Sequence, residues 1–151
     1  MKQLEIRRAE ASEAGMIADF QQKMAWETEQ LELREDVLAA GVQAVLADSN
    51  KGLYYVALQD GEIVASLMIT YEWSDWRNGT VWWIQSVYVL PEYRGQGVFK
   101  RMYLHLKEYV MQSELRGLRL YVDKTNTAAQ NVYDAIGMTQ EHYAMYEWMK
   151  G

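Results

Sequence analysis

Two chain reversals set among alternating apolar residues constrain the fold of this chain more than anything else in it. The stretch "GLYYVALQDGEIVASLMITYEW", Gly52–Trp73, reads as two strands joined at Asp60-Gly61, a pair suited to the positive-φ turn of a tight hairpin. A second reversal at Arg77-Asn78-Gly79 leads into "TVWWIQSVYVL". Three consecutive strands paired as hairpins follow. The apolar period then changes from two to 3.6: Phe99, Met102, Tyr103, Leu106 and Val110 recur on one face of a long helix.

Around that frame, Leu4, Ile6 and Arg8 alternate with charged residues as a first strand. Ser12 has the chemistry of a helix N-cap, with Glu13 in the first turn and Met16, Ile17, Phe20 and Met24 behind it. The charged segment "ETEQLELRED" leads to a second helix with Leu38, Val42, Val45 and Leu46 on one face. Leu118, Leu120 and Val122 alternate as a later strand. Ala129, Val132, Tyr133 and Ile136 form a last helical face, ended by Gly137. The tail "HYAMYEWMK" supplies one more strand. The order β-αα-βββ-α-β-α-β predicts a mixed α/β fold, with a mostly antiparallel sheet flanked by helices, in a single domain over 1–151.

Charge and cysteine content exclude several functions. With 21 acidic against 15 basic residues the net charge is −6, which argues against nucleic acid as a partner. No cysteine is present, so disulfides, thiolate metal sites and a cysteine acyl intermediate are ruled out, and no metal is expected. The start "MKQLEIRRAEASEAG" has no signal-like apolar core and no apolar run reaches membrane-spanning length, so a cytoplasmic location without membrane contact is expected.

Against this acidic background, "PEYRGQGVFKR" is an exception: Arg94, Lys100 and Arg101 surround a helix start. Aligned peptide dipoles leave partial positive charge there, so cations are unfavourable unless an anion occupies the site. The dinucleotide fingerprint G-x-G-x-x-G fails at Lys100 or Met102, depending on which glycine begins it, and no Walker loop occurs. The residues alone leave open a tight turn with solvated cations.

"VYVLPEYRGQGVF" resembles the acyl-CoA-binding signature of the GNAT N-acetyltransferase superfamily, Q/R-x-x-G-x-G/A after a strand, through Arg94 and Gly97. "NTAAQNVYDAIGM" resembles that family's later N-x-x-A-x-x-x-Y-x-x-x-G pattern, through Asn126, Ala129, Tyr133 and Gly137. The resemblance implies acetyl-CoA as acyl donor. Its pyrophosphate would be wrapped by amides of Arg94, Gly95, Gln96, Gly97, Val98, Phe99 and Lys100, with Lys100 or Arg101 balancing its charge. Its pantetheine arm would pair with backbone of Val87, Tyr88 and Val89. Phe99 departs from the family's usual Gly or Ala, so its ring must turn into the helix core.

The implied activity is direct acetyl transfer to a primary amine, cationic or lysine-like, in a ternary complex. Tyr133 matches the family's acid for the leaving thiolate; the competing reading is a core tyrosine. Asn126 is either an N-cap or a coenzyme contact. Glu72, at a strand end, is the candidate base, with Gln85 and Ser86 able to hold a relay water. Trp26, Glu27, Trp73 and Gln85 would line an acidic, aromatic acceptor site suited to a cation; the alternative for the tryptophans is sheet packing and a homodimer contact. His105 and His142 have no partner at a telling spacing. A non-catalytic acyl-CoA sensor is the competing function.

Overall fold

At Asp60-Gly61 both residues take positive φ, 53° and 82°, and join strand β2 (Leu53–Gln59) to β3 (Glu62–Ser74) through a two-residue turn. This is the hairpin geometry that matches the right-handed twist of the strands. The computed structural model describes residues 3–151, which divide into two compact units, one ending at Tyr121 and the other Val122–Gly151. In the first unit, β1 (Leu4–Arg8), β2, β3, β4 (Gly79–Val89) and β5 (Gly117–Leu120) lie side by side in chain order. All neighbours are antiparallel except β4 and β5, which run parallel.

Every residue of β2 is buried because both faces of the sheet are covered. Successive side chains point to opposite faces. Tyr54 thus joins Ile17 of α1 (Ala14–Glu29) and Val42 of α2 (Glu35–Ala47), with Leu38, Val45, Leu46 and Met68 packed around them. Tyr55 instead meets Trp82 and His105, the latter on α3 (Val98–Gln112). On α3 the predicted stripe holds: Met102, Tyr103 and Leu106 are buried, joined by Val98.

Helix α1 starts differently from the expectation at Ser12. Ala11–Glu13 forms a 3-10 turn, and Glu13 accepts hydrogen bonds from the Glu10 backbone at 2.8 Å and from Arg7 at 2.9 and 2.7 Å. The Glu13 carboxylate, held by Arg7 of β1, thus closes the 3-10 turn, and Glu13 itself stands at the N-cap of α1 without a side-chain cap. The buried stripe of α1 is Ile17, Phe20, Gln21 and Ala25, leaving Met16 exposed.

In the second unit, Asn126 caps α4 (Thr127–Ala135), and Gly137 at φ 92° ends it. Gly137 and Met138 donate to the Asp134 and Tyr133 carbonyls, closing a Schellman motif. The tail departs from expectation: "HYAMYEWMK" forms no strand. Alternation favours a strand only where a neighbouring ladder satisfies its backbone, and this segment joins none.

Candidate functional site

Strand β4 is irregular where the sequence motif begins. Ser66 faces Tyr88 while Met68 faces Gln85, so Leu67 opposes both Ser86 and Val87, and Ser86 takes a left-handed φ of 54°. This is a bulge. Parallel pairing with β5 covers only Val81–Ile84, so among the described residues Gln85–Val89 has a strand on one edge alone. The Leu90 amide donates to Val64 across β3, which by alternation turns the polar groups of Val89 toward the open edge. An extended, amide-bearing ligand can add there as a strand does.

The loop beyond it ends in an uncapped helix. Gly95 and Gly97 hold φ of 74° and 78°, a region costly for any residue with a Cβ. Gly97 serves as N-cap of α3 without a side chain to offer, and the first turn contains no acidic residue. The first helical bond runs from the Arg101 amide to the Gly97 carbonyl, so the amides of the first turn lie ahead of the helix's own ladder. Lys100 and Arg101 are exposed beside them. These residues fit a phosphate group: a helix start carries the amides and the dipole, two exposed cations lie in the same turn of chain, and no carboxylate is in the first turn. Phe99 is half-buried with its ring 6.5 Å from Tyr103, so its side chain follows the core face while its amide stays in the first turn.

Arg94 does not aim a free charge at that loop. Its Nη2 donates to Glu27 at 2.7 Å, its Nε donates to the Val89 carbonyl at 2.8 Å, and its guanidinium lies 5.3 Å from the Tyr88 ring centre. Glu27 also accepts the Tyr88 hydroxyl at 2.5 Å. Those bonds, the one from Tyr88 foremost, hold Glu27 below the usual carboxylate range. Burial, then Glu27, push the Tyr88 phenol up to about 12. Glu27, expected to face an acceptor, thus has both oxygens engaged by strand and loop.

Glu72 is engaged as well. It accepts from Arg119 at 2.8 Å and from Trp83 Nε1 at 2.6 Å, and these bonds lower its pKa. The expected base is therefore a weak one, held across β3, β4 and β5. Trp83 also packs on Tyr121 at 4.5 Å, and Gln85 donates to Thr70 at 2.5 Å. Trp82 stacks on Tyr109 at 5.2 Å, whereas Trp73 and Trp26 are 63% and 60% exposed and able to meet a ligand. Sequence reasoning missed Arg119, Tyr121 and Thr70. Arg119 between Leu118 and Leu120 signals only an outward strand position, and its partner lies in a distant hairpin.

In the second unit, Asn126 Oδ1 accepts from the Ala129 amide at 3.1 Å, so it caps α4, and a coenzyme contact would fall to its Nδ2. Tyr133 is half-buried, and burial raises its phenol above the ordinary value. It stays protonated at neutral pH, as a proton donor must.

Residues 12–138 match the acetyltransferase (GNAT) family. A possible acetyltransferase from Clostridium difficile 630 superposes with TM-score 0.90 at 44% identity, covering 97% of each chain. A thialysine N-epsilon-acetyltransferase of Mus musculus is 26% identical over 91% of this chain and 85% of its own length. The enzyme of that name from Bos taurus is 31% identical over 44% of this chain, and the match spans only 39% of its length.

Proposed function

The chain belongs to the acetyltransferase (GNAT) family, and we propose that it transfers the acetyl group of acetyl-CoA to a primary amine. The observation that carries this reading is the uncapped, cation-flanked start of α3 directly after the open edge of β4. The first suits a pyrophosphate and the second a pantetheine arm. Bound acetyl-CoA supplies the activated acyl group. Amides of Val98, Phe99 and Lys100 hold the phosphates, with Lys100 and Arg101 offsetting their charge.

A neutral amine attacks the thioester carbonyl carbon, the C–N bond forms and the C–S bond breaks. The thiolate takes the Tyr133 proton, and the phenolate is restored by the proton released from the amine nitrogen. The family motif assigns this role to Tyr133, and its raised pKa keeps the proton available. An alkylammonium near pKa about 10.4 must first lose a proton. Because Glu72 and Glu27 are both tied to arginines and lowered, that proton is proposed to pass to water, with Gln85 and Ser86 of β4 as the candidates to hold it.

The acceptor proposed is a cationic, lysine-like amine. The exposed faces of Trp26 and Trp73 suit a cation, and the names of the thialysine enzymes support the class. The engagement of both carboxylates favours one other reading, a sensor that binds acyl-CoA without turnover. Thiol release from acetyl-CoA over a panel of amines decides: turnover with cationic amines is expected, and activity confined to acidic amino acids would contradict the acceptor class. Tight CoA binding without release from any amine would establish the sensor.

A further inference from the structure

We infer that Glu27 is a positioning residue for the coenzyme loop, acting through Arg94, and not a ligand of the acceptor amine. The inference rests on the acetyl-CoA reading above. Glu27 lies in the last turn of α1, far in sequence from the loop, yet its two oxygens take two different partners there: Oε1 the Arg94 guanidinium and Oε2 the Tyr88 hydroxyl. Arg94 in turn grips the Val89 carbonyl, the last residue of β4.

The loop needs such an anchor. Gly95 and Gly97 are exposed, and a Cβ at either would meet nothing within 4 Å, so packing does not hold their backbone. Glycines also have the most freedom to lose when a ligand orders them. At its far end the loop is held by the buried Val98, and in its middle by Gln96 donating to the Glu92 carbonyl. At its near end the tie is Arg94, itself fixed by Glu27 and lying against the Tyr88 ring, which packs on Phe20 at 5.2 Å. Holding the loop in its bound shape beforehand lowers the entropic cost of binding. Pairing with Glu27 also neutralises Arg94, leaving Lys100 and Arg101 to meet the phosphates.

The test is calorimetric titration of the full chain with CoA, for wild type, Glu27→Gln, Arg94→Gln and the double variant. Glutamine at 27 still accepts the Tyr88 hydroxyl but loses the charge-assisted bond to Arg94. Each single change should raise the CoA Kd roughly three- to thirty-fold, and the double variant should be no weaker than the weaker single one. Acetylpantetheine, which lacks the pyrophosphate, should bind wild type and Glu27→Gln equally by competition. General loosening of the fold would weaken both ligands and overturn the inference. So would additive effects, or a Kd for Glu27→Gln within twofold of wild type. If Glu27→Gln does not fold, Arg94→Lys, which keeps the charge but loses the Val89 bond, carries the same expectation. Wild type that fails to bind CoA overturns the acetyl-CoA reading together with this one.

Discussion

Burial holds the Tyr133 phenol above its ordinary pKa, and its role is decided by one oxygen atom. Tyr133→Phe removes that oxygen and leaves the ring to keep the α4 face with Ala129 and Ile136. If the phenol protonates the thiolate, kcat falls roughly 10²–10⁴-fold, while the CoA Kd stays near wild type. Unchanged kcat would make Tyr133 a core residue. A second residue tests packing alone. A Cβ on Gly52 would stand 2.5 Å from the Ile69 carbonyl oxygen, which is backbone of the central sheet and cannot step aside. Gly52→Ala should cost about 1–3 kcal/mol in chemical denaturation, the scale of an overpacked site. Residue types marked the glycine loop as a candidate anion-binding element, but gave no sign of the partners of its side chains. Glu27 and Glu72 look like free carboxylates because Arg94 and Arg119 lie far from them in the chain.

At the scale of elements, α3 joins a helix start to a glycine N-cap in a left-handed conformation. Gly97→Val leaves room for the new side chain but not for its φ of 78°. The backbone must shift, and the amides of Val98 to Lys100 shift with it. CoA affinity should drop at least about tenfold by titration, with the apo melting temperature moving far less, because the strain sits in an exposed loop. The hairpins and the α3 stripe were legible because their signals are local: Asp60-Gly61 codes its turn, and Met102, Tyr103 and Leu106 code one helix face. The bulge at Ser86–Val87 was not legible. Nothing in "IQSVYV" marks an extra residue, since register is set by the pairing of β4 with β3.

Across the whole molecule, ionisation ties stability to pH at both ends of the scale. Glu13, Glu27 and Glu72 are held below their ordinary range by Arg7, by Tyr88 with Arg94, and by Arg119 with Trp83. A depressed carboxylate contributes stability that is complete above its unfolded pKa, about 4.3, and is lost as pH falls through the lower folded value. The melting temperature should therefore hold down to about pH 5 and fall below about pH 4. Burial raises Tyr54, Tyr55, Tyr71, Tyr88, Tyr103 and Tyr133. Their contribution is complete below the unfolded value of about 10 and is lost as pH rises through the folded ones. A second fall above about pH 10 should follow. Melting temperatures constant across either window would contradict these assignments. Saturating acetyl-CoA should raise the neutral-pH melting temperature by several degrees through linkage, by roughly 2.7 kcal/mol at a hundred times Kd.

The sequence by itself determined the antiparallel hairpins, the amphipathic helices and the family. Each rests on residues close together or on spaced motifs whose types carry the chemistry. Tertiary structure alone decided where β5 stops, which edge of β4 stays open, and which of the tryptophans pack. It also decided that the tail "HYAMYEWMK" remains outside any ladder, despite an alternation that suits a strand. The pairing of Glu27 with Arg94, and of Glu72 with Arg119, belongs to the same class. A hydrogen bond or ion pair depends on distance in space, and that distance exists only once the sheet has brought remote segments together.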